Sequence, residues 1–151
     1  MTIWIDADSC PLLVRNHCVK MGAKYSIPVK FVANKNIPCS ENFPFEMIIT
    51  DSQKDAADNF IYENAGKNDL VVTRDIVFAD RLVNKNICTI NDRGTVFNKE
   101  NIKELLSNRD FDLQLAEIGL VKHHHEGYDK KKFGLFANCF DKVIHQLLSK
   151  K

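Results

Sequence analysis

Short apolar runs alternate with segments of helical periodicity along most of the chain. Runs rich in Ile, Val and Phe predict buried strands, and apolar residues three or four positions apart predict helices. Strands are predicted in the segments TIWID, IPVKFVAN, FEMIITD, DLVVTRD and ICTIND. Helices are predicted in the intervening segments CPLLVRNHCVKMG, SQKDAADNFIYENAG and IVFADRLVNK. This alternation predicts a three-layer α/β fold with a mainly parallel central sheet of about five strands.

The last third of the chain has a helical pattern without strands. The segments NKENIKELLSNRDFDLQLAEIG and KKFGLFANCFDKVIHQLLSK predict two further helices, and the polar stretch LVKHHHEGYDKK between them predicts a loop. We therefore expect residues 1–151 to form one domain, in which residues 98–151 supply C-terminal helices that pack on the α/β unit.

Composition narrows the class of protein without naming an activity. The 151 residues include 21 Lys and Arg against 20 Asp and Glu, a formal net charge of +1, so any nucleic-acid binding must come from a local patch. The apolar runs are too short to span a bilayer and no signal peptide precedes the first strand, which predicts no membrane association and a cytoplasmic location. The five scattered cysteines form no C-x-x-C pair and predict reduced thiols. Nothing in the sequence indicates an oligomeric state.

Acidic and polar residues follow every predicted strand. Because parallel sheets bind ligands outside the carboxyl ends of their strands, these side chains are expected to meet at one edge. In strand order they are Asp6 and Asp8, then Asn34, then Asp51 and Ser52, then Thr73, Arg74 and Asp75, and finally Asp92 and Arg93. Asp55 and Asp58, three positions apart, begin the helix before the fourth strand and share one helical face.

Several carboxylates at one edge require a compensating cation or a rise in their pKa values. Oxygen ligands without neighbouring Cys or paired His select Mg²⁺ or Mn²⁺, which activate water and stabilise a transferring phosphoryl group. The acids expected to meet in such a site are Asp6, Asp8, Asp58 and Asp75, with Asp55 and Asp92 as second-tier candidates. Asp55 and Asp92 have an equally good interpretation as helix caps or turn residues, and Asp8 has an alternative role as the cap of the helix near Pro11.

Basic and amide side chains near the same edge are candidates for phosphate binding. These candidates are Asn34, Thr73, Arg74 and Arg93. The guanidinium group suits bidentate recognition of phosphate, and both arginines lie at the end of a predicted strand.

Three adjacent histidines, His123, His124 and His125, lie in the predicted polar loop. Adjacent residues in a loop rarely direct three rings at one ion, and the triplet lacks the spacing of zinc ligands. We interpret it as a solvated loop, with contact to phosphate or RNA as the alternative.

These motifs carry a resemblance to known families. The segment DNFIYENAGKNDLVVTRD resembles PIN-like nuclease domains, in which an Asp opens a helix and a following strand ends in Thr-x-Asp. More closely, IWIDADSCP, FVAN, DAAD and LVVTRDI resemble the bacterial YaiI/YqxD family, a PIN-like group, over essentially the whole chain.

The resemblance implies a metal-dependent nuclease site. In that site Asp6, Asp58 and Asp75 would be ligands of Mg²⁺ or Mn²⁺, and Asp8 would be a fourth acid. The mid-chain Glu of PIN-like domains has no clear counterpart, because Glu41 and Glu46 lie in poorly patterned segments. Asp8 or Asp55 would then take over its task.

Three functions are compatible with these residues. The leading hypothesis is a metal-dependent phosphodiesterase acting on RNA. The first alternative is a phosphatase of the haloacid-dehalogenase type that uses Asp6 as its nucleophile, since IWIDADS satisfies the Asp-x-Asp motif of that class. That class also needs a later Lys and a paired acidic motif, which TRD and DAAD fit poorly. The second alternative is a non-catalytic PIN-like domain that binds nucleic acid or a partner.

Overall fold

One central sheet organises the protein, as seen in a computed structural model that describes residues 1–39, 42–53, 55–119 and 127–150. The strands are β1 (Ile3–Asp6), β2 (Val29–Ala33), β3 (Glu46–Ile49), β4 (Leu70–Val72), β5 (Cys88–Ile90) and β6 (Val96–Phe97). The helices are a 3₁₀ turn (Ala7–Ser9), α1 (Leu12–Tyr25), α2 (Ala56–Asn64), α3 (Ile76–Asn84), α4 (Asn101–Glu117) and α5 (Lys130–Ser149). The strands lie in the order β3-β2-β1-β4-β5-β6, and every pairing is parallel except that of β5 with β6.

The predicted α/β class and the mainly parallel sheet are confirmed. The structure adds β6, an antiparallel edge strand that the sequence pattern did not predict. Its two residues are too few to show a periodicity, and its pairing depends on the tight turn that follows β5.

Both faces of the sheet are covered, because alternate residues of β1 enter different cores. Ile3 and Ile5 pack in a cluster with Phe136 and Phe140 of α5 and with residues of α1. Trp4 packs on the other face with Phe78 of α3 and with residues of α2. Side chains on successive strand positions point to opposite faces, so an unbroken apolar strand is what a three-layer fold needs.

The order of the strands creates a crevice beside β1. The chain runs outward from β1 through β2 to β3, and then returns to place β4 on the other side of β1. In open α/β sheets this reversal marks the place where ligands bind, outside the carboxyl ends of the strands. A ligand site is therefore expected at the carboxyl ends of β1 and β4.

Helix α4 packs against α3 with its first half. Ile102 is buried against Ala79 and Val83 of α3, whereas Phe111 and Ile118 are exposed further along. No helix in the described ranges is both long and apolar enough to cross a membrane.

Candidate active site

The floor of the crevice is a hydrogen-bonded pair formed by Asp6 and Thr73. Ile5 lies opposite Val72 in the parallel register, so the next residue of each strand reaches the same edge. Thr73 Oγ1 donates to Asp6 Oδ2 at 2.8 Å. Asp6 is only 8% exposed, and burial raises its pKa to about 6, with smaller contributions from the charges of Asp75 and Asp8, while the Thr73 hydrogen bond opposes the rise.

Asp75 connects this pair to helix α3. Its backbone N–H donates to Thr73 Oγ1 at 3.1 Å. Its carboxylate caps the helix, with Oδ1 accepting from the N–H groups of Val77 at 3.0 Å and Phe78 at 3.2 Å. Thr73 therefore holds Asp6 and Asp75 together through one hydroxyl group. Its predicted contact with phosphate stays a prediction.

Asp58 joins the same acidic group from the first turn of α2. Partial burial raises the pKa of Asp58 to about 7, and the charges of Asp6, Asp75 and Asp55 add to that rise, while Arg81 opposes it. Carboxylates influence one another in this way only when they are close in space. Asp6, Asp58 and Asp75, which come from β1, α2 and the loop after β4, are thus near enough for their charges to interact.

A cleft of about 180 Å³ opens above these acids. Its walls include the predicted residues Asp6, Asp8, Asn34, Asp55 and Asp58, together with Asp51. Asp51 follows β3 and so has the same position at a strand end as the other acids, although it is not among the predicted metal ligands. The cleft is lined by residues from four separate parts of the chain.

Two capping interpretations are not seen in the structure. Asp8 lies in the 3₁₀ turn after β1 and is exposed, and helix α1 begins at Leu12, after Pro11, without a side-chain cap. Asp55 precedes α2 in a left-handed conformation, with φ of 66°, and its side chain makes no capping hydrogen bond. Both carboxylates therefore face the cleft without a helix-capping role.

Asp92 does not line the acidic cleft, but it borders a small pocket together with Asp6, Thr73 and Arg74. It is 3% exposed, and its Oδ2 is 3.2 Å from Arg74 Nε. Arg74 also donates to the backbone oxygen of Ser9 at 3.3 Å. This ion pair turns Asp92 and Arg74 toward each other, and Arg93 lies beyond them on the surface. The cleft and the Arg74–Asp92 pair are neighbours, with Thr73 and Asp75 on either side of Arg74 in the chain.

The two glutamates considered for the mid-chain position do not add to the cleft. Glu46 begins β3 and lies 3.7 Å from Lys30 Nζ, so it belongs to the opposite, amino-terminal edge of the sheet. Glu41 lies outside the described residues, as do His123, His124 and His125. Of the described acids, Asp8, Asp51 and Asp55 line the cleft beside Asp6 and Asp58 and are placed to supplement them.

The donor chemistry of the cleft fits a hard divalent cation. Its charged groups are carboxylates, and the pKa values of Asp6 and Asp58 are raised chiefly by burial and further by the neighbouring acids, so a cation would favour their ionised forms. Within the described ranges, however, no three His, Cys, Asp or Glu side chains are already arranged to hold a metal ion. Binding of Mg²⁺ or Mn²⁺ by Asp6, Asp8, Asp58 and Asp75 therefore stays a prediction, and it would require these side chains to draw together.

The fold and the cleft define an α/β protein with an acidic crevice at the carboxyl edge of a mainly parallel sheet. The chain belongs to the family described as "Uncharacterized BCR, YaiI/YqxD family", whose model matches residues 4–146. The resemblance to the YaiI/YqxD family that the motifs carry is thereby confirmed.

Relatives of the chain share nearly its whole length. It is similar to the UPF0178 protein of Treponema denticola, at 39% identity over 100% of this chain and 96% of the relative. It is also similar to the UPF0178 proteins of Treponema pallidum, at 40% identity over 98% of this chain and 84% of the relative, and of Trichlorobacter lovleyi, at 34% identity over 98% and 96%. No solved structure matches the chain.

Proposed function

We propose that the protein is a metal-dependent nuclease that hydrolyses phosphodiester bonds, with RNA as its substrate. The observation that carries this proposal is the mutual charge coupling of Asp6, Asp58 and Asp75 at the crevice beside β1. Repulsion between neighbouring carboxylates costs stability, and Asp6 and Asp58 have no structural role in the described residues that offsets this cost as the helix cap does for Asp75. Such a cost is typical of functional sites. The resemblance to PIN-like nucleases supports the same activity.

Each acid has a distinct structural support for its role. Asp6 is held in position by Thr73, Asp58 by the first turn of α2, and Asp75 by its cap on α3. Together with Asp8 they would hold Mg²⁺ or Mn²⁺. A bound cation of this kind supplies positive charge to the phosphoryl group and lowers the pKa of an attacking water. Asp8 is exposed on the cleft wall and would orient that water.

The surroundings of the cleft would position the nucleic acid. Asn34 lies on its wall and offers an amide to a phosphate oxygen. Arg74 is engaged with Asp92 and Ser9, so its role in phosphate contact is secondary to its role in the fold. Arg93 is exposed and is the better candidate for a phosphate of the strand.

The phosphatase alternative is less well supported by the geometry. A nucleophilic Asp must reach a phosphorus atom, and Asp6 is buried with one oxygen engaged by Thr73. The non-catalytic alternative has one observation in its favour, which is that the described acids are not pre-arranged around a metal position. It remains the second candidate function.

The proposal is tested by a cleavage assay on labelled single-stranded RNA and DNA, run with Mn²⁺, with Mg²⁺ and with a chelator. We expect Mn²⁺-dependent cleavage of RNA that falls at least about 100-fold in Asp6→Asn and Asp58→Asn. The matched control is Asp110→Asn, because Asp110 is exposed on α4 and pairs with the adjacent Arg109. If the wild type binds RNA but does not cleave it under any of these conditions, the non-catalytic function replaces the nuclease.

A further inference from the structure

The outer edge of β3 pairs with no other strand in the part of the chain that the structure describes. β3 is the last strand of the sheet on its side and pairs only with β2. Natural proteins usually block such an edge with Lys, Pro or a bulge, because its N–H and C=O groups can pair with another chain. The four residues of β3 include neither Lys nor Pro, whereas β6, the other edge strand, has only two residues to offer. β3 is therefore the edge of this sheet that can accept a further strand.

The backbone groups that face outward from β3 follow from one hydrogen bond. The N–H of Thr50 donates to the backbone oxygen of Ala33 in β2 at 2.8 Å. In a parallel pair, successive residues direct their backbone groups alternately toward the neighbouring strand and away from it. Since the N–H of Thr50 faces β2, the N–H and C=O groups of Met47 and Ile49 face away from it. The edge thus presents two donors and two acceptors.

The side chains along this edge are mainly apolar. Ile49 is 59% exposed. Met47 packs partly buried on the face of the sheet covered by α1 and α5, and Ile48 does so on the opposite face. The charged residue of the strand is Glu46, which lies 3.7 Å from Lys30 Nζ in β2. The edge is therefore suited to an apolar strand.

We propose that β3 pairs antiparallel with β3 of a second copy of the chain, across a twofold axis that passes beside Ile48. In this register Met47 lies opposite Ile49 of the second copy, so the outward-facing N–H and C=O groups of both strands are all bonded. The Met47 and Ile49 side chains pair on one face of the joined sheet, and the two Ile48 side chains meet on the other. The strand is thus complementary to itself, as a twofold interface requires.

The charges along the edge favour the same arrangement. In this register Glu46 lies opposite Thr50 of the second copy, and Asp51 lies opposite Phe45. Each acid therefore meets an uncharged residue, and the pairing avoids like charges directly opposite one another, which destabilise neighbouring strands. The inference is independent of the proposed function, because it involves neither a metal ion nor a nucleic acid.

Sedimentation velocity of the whole protein, at concentrations between about 1 and 100 µM, tests the inference. We expect the wild type to form a dimer in this range and Ile49→Lys to raise the dissociation constant at least about tenfold, because Lys on an edge strand opposes pairing. The matched control is Ile118→Lys, since Ile118 is 68% exposed on α4. Both isoleucines are exposed, so neither change should disturb the core, and the control should leave the dimer unchanged.

Two further variants test the backbone pairing and its register. Ile49→Pro removes one outward N–H and leaves the bond between Thr50 and Ala33 in place, so the circular dichroism spectrum should persist while the dimer is lost. Ile48→Cys should form a disulfide between the two copies under mild oxidation, because directly opposite residues of this kind have Cα atoms about 4.5 Å apart. Peptide mapping separates that linkage from any that involves the native cysteines.

Three results would overturn the inference. A wild type that stays monomeric over the whole concentration range would leave the edge to a strand of another protein. A dimer that persists in both Ile49→Lys and Ile49→Pro would have to use another surface. A dimer in which Ile48→Cys forms no linkage at that position would not have the proposed register.

Discussion

Replacing Asp6 with Asn should make the protein more stable at neutral pH. Asp6 is buried beside other carboxylates, and its pKa is raised from the ordinary value of 3.8 to about 6. The native state therefore binds a proton at Asp6 more tightly than the unfolded state does. Asn has the shape of protonated Asp and carries no charge, so the Asn variant escapes the cost of ionising this position.

The size of the effect follows from the pKa of Asp6. A rise from 3.8 to about 6 corresponds to about 3 kcal/mol, at 1.36 kcal/mol for each pKa unit. Because the pKa of Asp6 is higher in the native state than in the unfolded state, protonation of Asp6 stabilises the native state. The favourable contribution of protonated Asp6 is fully present below about pH 4 and is lost as the pH increases through about 6. Because Thr73 can still donate to Asn Oδ1, we expect a net gain of about 1–3 kcal/mol at pH 8.

The stability difference between Asp6→Asn and the wild type is measured by urea unfolding in the presence of a chelator, at a series of pH values between 4 and 8. Other groups titrate over the same range, so the informative quantity is the free energy of unfolding of Asp6→Asn minus that of the wild type. That difference should be near zero at pH 4 and should grow as the pH rises. Asp110→Asn, an exposed change of the same kind, should show no such dependence.

A constant difference between pH 4 and pH 8, or a variant less stable than the wild type at pH 8, would refute the reasoning. Thr73→Val separates the two causes of the pKa of Asp6. It removes the hydrogen bond that lowers that pKa, so the pKa should rise further and the loss of stability should be greatest at high pH.

Three further predictions concern the metal, the helix cap and the turn. Mn²⁺ should raise the melting temperature of the wild type and much less that of Asp6→Asn, as followed by thermal denaturation with and without the ion. Asp75→Ala should lower the free energy of unfolding by about 1 kcal/mol through loss of the α3 cap, as measured by urea unfolding. Asp75→Asn should keep the cap and the stability but lose activity in an RNA-cleavage assay. Gly94→Ala should lower the free energy of unfolding in urea by about 1–3 kcal/mol, because Gly94 has a positive φ and a Cβ atom there would meet Leu135. A loss below about 0.5 kcal/mol, the size of an ordinary surface substitution, would contradict this account.

The parallel part of the sheet was predictable from the sequence because both faces of β1 and β4 are apolar. Their carboxyl ends are then expected to share an edge, which predicts Asp6 and Asp75 at the same end of the sheet. The hydrogen bond between Thr73 and Asp6 was not predictable in the same way. It depends on the exact offset between two strands that are 67 positions apart at this contact, and local periodicity carries no information about that offset.

The position of Asp92 was also beyond the sequence pattern. Its place after β5 predicted the right edge of the sheet, but the direction of its side chain was set by Arg74, a residue from the end of the adjacent strand. Strand β6 escaped prediction because its two residues are held by the turn from Asn91 and not by a run of apolar positions. The direction of the Asp92 side chain and the pairing of β6 both depend on contacts between distant parts of the chain, which local composition does not specify.

The place of β1 in the sheet has a consequence for synthesis of the chain. The strand at the centre of the sheet is made first, while β4 and α5, which cover its second edge and one of its faces, are made much later. A growing chain therefore carries Ile3 and Ile5 without their final partners until Phe136 and Phe140 have left the ribosome. Pairing between distant segments is slow and leaves apolar strands open to aggregation in the meantime. The acids of the crevice are thus synthesised before α5, and a chain that ended before α5 would lack part of the packing on Ile3 and Ile5.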